Sequence, residues 1–273
     1  MRKKILSQEQ DNVQRHIWVL SGTSDGFLFA KNFVERGWNV SVSVVSREAS
    51  LPYLHLSIEN LWVGAINGVD EIKGLLFDSE NNIRQFDYVV DATHPFAIEI
   101  STNLGIACKA IGQPLVRYER PLDINLVSSA TFISTLNELS EYDLLGRRFL
   151  FAIGSRHLDV AIRALKTSGG IPYARILPNP ESIKKAINSD IEEKHIAIVK
   201  PFKSSPLGQL EVALCRKWNI TDIVFRESGG TTQKTWTRIS QEEGIDIWIV
   251  RRPKLRDSVL IANSLEDISM VLI

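Results

Sequence analysis

The sequence predicts an α/β fold with two domains built on mainly parallel sheets, and three observations predict it. Short apolar runs recur along the whole chain, stretches with helical apolar spacing separate them, and the turns where a run ends carry Gly, Ser, Asp or Pro. Strand and helix in alternation is the pattern of a parallel sheet covered by helices. The chain has 273 residues, 44% of them hydrophobic, and at roughly 150 residues per domain that length suits two such units.

Taken in order, the first strand is Ile17–Leu20, an unbroken apolar run ending at Ser21-Gly22, as suits a strand buried on both faces. Phe27, Ala30 and Val34 then mark a helix that Gly37 stops. Val40–Val45 is the second strand and Leu61–Val63 the third. Val69, Ile72 and Leu76 mark a brief helix, and Tyr88–Val90 a strand ending at Asp91. Ala97, Ile100, Leu104, Ala107, Cys108 and Ile111 form one face of a helix stopped by Gly112, and Pro114–Tyr118 is the next strand. Arg120-Pro121 marks the domain boundary, because proline disfavours a helical residue before it. Beyond it, strands are expected at Thr131–Ser134, Phe149–Ile153, Pro172–Leu177, His195–Val199, Asp222–Phe225 and Asp246–Val250. Helices are expected at Leu158–Leu165, Ile183–Ile187 and Leu207–Trp218. The reading thus divides the chain into a flexible leader (1–14), a nucleotide-binding domain (15–122) and a second, substrate-binding α/β domain (123–273).

Composition removes several functions. Lys plus Arg and Asp plus Glu both number 32, so bulk charge gives no hold on nucleic acid. No apolar run approaches the roughly 20 residues of a membrane span. The N-terminus has only Ile5-Leu6 where a signal peptide needs about 7 to 15 apolar residues. Cys108 and Cys215 belong to no metal-spaced pair, so no metal site is expected, and a reduced, cytoplasmic compartment fits.

Chemistry is expected where parallel strands end. Gly22-Thr23-Ser24 follows the first strand and opens a helix, and a helix N-terminus receives phosphate, although the Gly-x-Gly-x-x-Gly fingerprint is missing. An ordinary capped turn is the competing reading. Gly22–Gly26 also fits the Gly-x-Ser-x-Gly elbow of hydrolases, but Asp91 and His94 are too close in sequence to complete a triad. Ser46 and Arg47 end the second strand, where an arginine suits the 2′-phosphate of NADPH. Asp91, Thr93 and His94 bring a carboxylate, a hydroxyl and an imidazole to one strand end and form the candidate catalytic group. The other reading of this group is a capped turn with a packed histidine. Arg117 and Arg120 are candidates for an anionic substrate, or for pairing with Glu119. Gly154-Ser155-Arg156, Lys200 to Lys203, and Ser228-Gly229-Gly230 with Lys234 add anion-receptive turns. Together these suit a small polyanion. The chain has no Tyr-x-x-x-Lys pair and no phosphate loop of the Gly-x-x-x-x-Gly-Lys-[Ser/Thr] type.

Gly22-Thr23-Ser24, Asp91-Ala92-Thr93-His94-Pro95-Phe96-Ala97 and Arg117-Tyr118-Glu119-Arg120-Pro121 together resemble the precorrin-6A reductases of cobalamin biosynthesis. Ile153-Gly154-Ser155, Pro201-Phe202, Glu227-Ser228-Gly229-Gly230 and Arg252-Pro253 extend the resemblance over most of the chain. It implies two Rossmann-like domains with the active site between them. It also implies NADPH-dependent reduction of one double bond of precorrin-6A, or of its cobalt-bearing form, to the 6B product. The macrocycle, a polycarboxylate tetrapyrrole, would be the small-molecule partner, with neighbouring enzymes of the same pathway as protein partners. On this basis NADPH would lie at Gly22, Thr23, Ser24, Ser46 and Arg47. Thr93, His94 and Asp91 would serve the reaction, with His94 a candidate proton donor. Arg117, Arg120, Ser155, Arg156, Lys203, Ser228, Gly229 and Lys234 would meet the substrate. Ser21, Asp25, Lys200 and Arg226 stand where the family commonly has glycine, glutamate, glycine and lysine. The alternative is a tetrapyrrole- or nucleotide-binding module without catalysis.

Overall fold

A computed structural model describes residues 14–78, 80–81, 83–121, 130–200, 208–254 and 259–272. The chain divides into two compact units, Met1–Glu119 with Leu255–Ile273, and Arg120–Lys254.

In the first unit, β1 (His16–Ser21) leads through α1 (Ser24–Glu35) to β2 (Asn39–Val44). The short α2 (Arg47–Ser50) and a 3-10 turn (Leu51–His55) precede β3 (Asn60–Val63) and α3 (Gly68–Leu76). A small antiparallel pair, β4 (Phe77–Asp78) and β5 (Ile83–Arg84), then precedes β6 (Tyr88–Ala92), α4 (Ile98–Ile111) and β7 (Leu115–Tyr118). The second unit contains β8 (Ala130–Ile133), β9 (Arg148–Phe151), α5 (Leu158–Thr167), β10 (Ile171–Ile176), α6 (Pro180–Ile187) and β11 (Ile196–Ile198). It continues with α7 (Gln209–Trp218), β12 (Asp222–Arg226), α8 (Thr231–Glu243) and β13 (Asp246–Val250). The tail supplies β14 (Leu260–Ala262) and α9 (Leu265–Val271).

The unbroken apolar run of β1 is explained by its two covered faces. Ile17 and Val19 pack with Phe29 and Phe33 of α1 and Ile268 of α9, while Trp18 and Leu20 pack with Ile72 and Leu76 of α3 and Leu104 of α4. Side chains alternate across a strand, so a strand between two helical layers must be apolar at every position. In the second unit Ile223 and Phe225 of β12 share one cluster with Trp218 of α7 and with Trp236 and Ile239 of α8.

Among the described residues, the first sheet runs β14-β7-β6-β1-β2-β3 and the second β11-β10-β9-β12-β13-β8, with every pairing parallel. Counted from β1, the first sheet has the order 3-2-1-4-5-6 of a dinucleotide fold. Counted from β9, the second has the same order, with β8 in the sixth place. Each unit's sixth strand therefore follows the other unit's fifth along the chain.

This exchange corrects the domain limits read from the sequence, which carry the second domain to residue 273. Leu260, Ile261 and Ala262 pair with Val116, Arg117 and Tyr118, and Ala262, Ile268 and Leu272 are buried in the first unit's core. The tail is thus structural for the first unit. The expected strands are all present, within a few residues at their ends. Three helices and three strands lie where the sequence reading places none: α2, α8, α9, β4, β5 and β14. The start of the helix expected at Leu207 lies outside the described residues, which take it up at Gln209.

Candidate active site

In each sheet the chain direction of strand addition reverses at one place, and the strand ends there open a crevice. In the first unit this place lies between β1 and β6. Leu20 and Ser21 pair with Asp91 and Ala92, so the turn after β1 and the turn after β6 lie side by side. They touch closely. A Cβ on Gly22 would come 2.9 Å from the His94 backbone nitrogen and 3.1 Å from the Thr93 Cα. Gly22 is therefore required by the approach of two backbones. Its N–H donates to the Ala92 carbonyl at 3.2 Å. Thr23, the N-cap of α1, makes no side-chain cap bond and turns its hydroxyl toward Asp25 and the Ala92 carbonyl instead. The first turn of α1 thus receives no cap from Thr23, which leaves the dipole end suited to an anion.

Beneath the Thr93 turn lies a buried charged network. Asp91 and Arg117 face each other in register on β6 and β7, and both are almost wholly buried, at 2% and 1% exposure. Arg117 Nη1 lies 2.7 Å from Asp91 Oδ1, donates to Thr93 Oγ1 at 2.7 Å and to Ser101 Oγ of α4 at 2.9 Å. Its Nε donates to Glu119 Oε1 at 3.1 Å. Thr93 in turn donates through its backbone N–H and its hydroxyl to Asp91 Oδ1, at 3.0 and 2.7 Å. Five side chains are locked together, from β6, β7, the turn after β6, α4 and, for Glu119, the residue that follows β7. His94 sits above them, half-buried, and its Nδ1 accepts from the Phe96 N–H at 3.2 Å. That bond assigns the neutral ring the tautomer with its proton on Nε2.

At the end of β2, next to β1, Ser46 caps α2, its Oγ accepting from the Ala49 N–H at 3.3 Å, and Arg47 is exposed at the start of that helix. Tyr53, in the following 3-10 turn, reaches back to β1 and donates to Ser21 Oγ at 2.6 Å.

The second unit has its reversal between β9 and β12. The turn after β9 carries Gly154, Ser155 and Arg156, and Ser155 Oγ donates to Ser182 Oγ of α6 at 3.2 Å. The turn after β12 carries Ser228, Gly229 and Gly230 and opens α8. Arg120 Nη1 donates to the Ser228 carbonyl at 3.2 Å, Arg252 Nη1 donates to the Arg120 carbonyl at 2.9 Å, and Gln233 Oε1 accepts from the Gly229 N–H at 2.8 Å. Gly229 has φ +67°, and a Cβ there would meet the Arg120 Cβ at 2.9 Å, so both conformation and crowding select glycine. Arg156, His157 and Arg226 gather at these two strand ends. Burial, then the Arg226 and Arg156 charges, hold the His157 pKa below its ordinary value. Burial, then Arg156, do the same to Arg226.

The structure therefore brings Gly22, Thr23, Ser24, Thr93 and His94 to one crevice, with Ser46 and Arg47 at the end of the adjoining β2. It brings Ser155, Arg156, Ser228 and Gly229 to a second crevice, with Lys234 exposed in the first turn of α8. Asp91 and Arg117 lie below the surface as partners of each other, and Arg120 is bonded to the Ser228 turn. Lys203, like Pro201-Phe202, lies outside the described residues. Ser101, Tyr53 and His157 enter only from the structure, and Arg226, noted in the sequence as a departure from the family pattern, gains its place at the site there. Arg226 stands one residue past the expected strand end, and His157 directly follows Arg156; these positions were the available signals. Among the described residues no three His, Cys, Asp or Glu side chains are grouped to hold a metal, and no helix is long and apolar enough to cross a membrane.

The chain is similar to proteins of known name along most of its length. A cobalt-precorrin-6A reductase of Synechocystis sp. is 28% identical over 242 residues, 87% of this chain and 88% of the relative. One from Priestia megaterium is 28% identical over 244 residues, 88% and 91% of the two chains. A precorrin-6A reductase of Mycobacterium tuberculosis is 24% identical over 256 residues, 93% and 96%. A solved CobK precorrin-6A reductase superposes with a TM-score of 0.72 at 22% identity, covering 95% of this chain and 96% of that one, a likeness of fold. The family model described as Precorrin-6x reductase CbiJ/CobK matches residues 16–272, and the chain belongs to that family.

Proposed function

We propose that the protein reduces one double bond of the precorrin-6A macrocycle, with or without cobalt, using NADPH. The observation that carries the reading is the joined pair of turns at β1 and β6, which sets a helix N-terminus, uncapped by Thr23, beside Thr93 and His94 in a chain of the CbiJ/CobK family. The residues fit a nicotinamide nucleotide. Gly22 lets the Thr93–His94 turn close against the start of α1, the α1 N-terminus suits a pyrophosphate, and exposed Arg47 at the end of β2 suits a 2′-phosphate. When bound, such a cofactor supplies a hydride.

The chain's own residues do the rest. The Asp91–Arg117 pair fixes Thr93 from below, so the Thr93–His94 turn keeps its place beside Gly22. His94 is the group we assign to protonating the reduced ring, as the imidazolium, which returns to the neutral ring on giving up its proton. The second unit binds acetate and propionate carboxylates of the macrocycle through Arg156, His157, Arg226, Ser155 and the Ser228–Gly230 turn, with charge-assisted hydrogen bonds as the main attraction. Much of the rate comes from holding donor and acceptor carbons in contact. The test is anaerobic NADPH oxidation, followed by its near-ultraviolet absorbance, with precorrin-6A and with cobalt-precorrin-6A. Turnover with either macrocycle supports the reading, and tight macrocycle binding without oxidation of NADPH favours a carrier instead.

A further inference from the structure

We infer that Tyr53 is a positioning residue for the nucleotide, tying the Ser46–Arg47 turn to the turn after β1 and so setting the preference for a 2′-phosphate. This rests on the NADPH reading above. From Ser46 to Leu56 the chain is one continuous helical piece. Ser46 caps its start, Ser50 Oγ donates to the Arg47 carbonyl at 2.7 Å, Pro52 stiffens the entry to the 3-10 turn, and the Leu56 N–H donates to the Tyr53 carbonyl at 3.0 Å. Arg47 stands at one end of this piece and Tyr53 near the other.

Tyr53 is buried, at 2% exposure, and its ring packs edge-on against Phe27 of α1 with centroids 5.5 Å apart. Its hydroxyl donates to Ser21 Oγ at 2.6 Å, and Ser21 Oγ donates to the Thr23 carbonyl at 3.3 Å. Two hydrogen bonds thus connect the Arg47 segment to the N-cap of α1. Ser21 is specific to this arrangement. Its Oγ occupies the space beside Gly26, where a Cβ would come within 2.2 Å of it, and a glycine at position 21 would offer Tyr53 no acceptor. Burial raises the Tyr53 pKa, which keeps the phenol a donor. A buried phenol that only filled space would need no bond to the nucleotide turn, whereas this bond joins the two strand ends that meet the two ends of an adenosine phosphate in this fold.

The test is a double-mutant cycle read by direct titration of the whole protein with NADPH and NADH. Tyr53→Phe is expected to weaken NADPH binding about five- to tenfold and NADH binding less than about twofold. In an Arg47→Ala background it is expected to weaken NADPH no further, since coupled residues are non-additive. Ser21→Ala removes the acceptor and is expected to repeat the pattern, which covers the case of a Tyr53→Phe protein that does not fold. Equal losses for the two nucleotides, or the same loss with and without Arg47, would overturn the inference. A wild-type protein that binds neither nucleotide would overturn the cofactor reading and this inference with it. One that binds NADPH and NADH equally would overturn the inference and leave the reductase reading standing.

Discussion

Arg117 places a full positive charge where almost no water reaches, and its stability there depends on Asp91 at 2.7 Å. Removing one partner strands the other. Arg117→Met is therefore expected to cost about 3 to 5 kcal/mol in urea unfolding, and the Asp91→Asn/Arg117→Met double variant less than the sum of its single changes. Additive losses would mean that the two groups do not act as a pair. The sequence showed both residues at strand ends, but the choice between a substrate contact and an ion pair turns on burial, which a strand-end position does not reveal. The cysteines give a second prediction at this scale. Burial, then Asp91, pushes the Cys108 thiol up to about 12, and burial, then Glu243 and Glu211, pushes Cys215 up to about 12. Both are expected to resist a thiol reagent at pH 8 until the protein is unfolded. Since an unfolded cysteine titrates near about 8.5, the raised folded values give stability that is complete below that pH. It is lost as pH rises from there toward about 12. A unit that is equally stable at pH 8 and pH 11 would contradict this.

The first turn and α1 are shaped by an exchange of volume between neighbouring positions. The Ser21 side chain fills the space that Gly26 leaves, so Gly26→Ala is expected to destabilise the protein by about 1 to 3 kcal/mol in spite of alanine's better helix propensity. Adding Ser21→Gly to that variant is expected to recover part of the loss in thermal unfolding. No recovery would place the clash elsewhere. Elements were legible wherever the apolar period was strong. The strands of both sheets and the helix from Ile98 to Ile111 are examples, because two-sided burial leaves little freedom of composition. The helix α8 was not legible. Its buried face is made of Gln233, Trp236, Ile239 and Ser240, a stripe half polar, so the 3.6-residue apolar period disappears although the helix spans Thr231–Glu243. The helix α9 is short, and its one local signal was the Ser264–Asp267 capping box.

For the whole molecule, the exchange of sixth strands means that the first unit is not a contiguous stretch of chain, because the second, Arg120–Lys254, is inserted within it. A sequence reading favours contiguous domains and so assigned the tail to the nearer one; only the pairing of β14 with β7 shows where it belongs. Ending the chain at Lys254 removes Ala262, Ile268 and Leu272 from the first core, along with the Arg36–Ser269 bond at 2.9 Å. The shortened protein is expected to lose cooperative unfolding of the first unit and to bind NADPH weakly; an unchanged unfolding midpoint would contradict the exchange. The repeated 3-2-1-4-5-6 order gives each unit one crevice, and the chemistry of the two crevices differs. In the first, an open helix end lies beside Thr93 and His94; in the second, Arg156, His157 and Arg226 gather with a glycine turn. That asymmetry suits a nucleotide and a polycarboxylate. The most direct measurement of the central claim is the fate of the hydride. NADPH carrying deuterium at the transferred position is incubated anaerobically with the protein and each form of the macrocycle, and the product is weighed by mass spectrometry. The account predicts a reduced macrocycle bearing one deuterium from the cofactor; unlabelled or unreduced macrocycle recovered from protein that binds both ligands would contradict it.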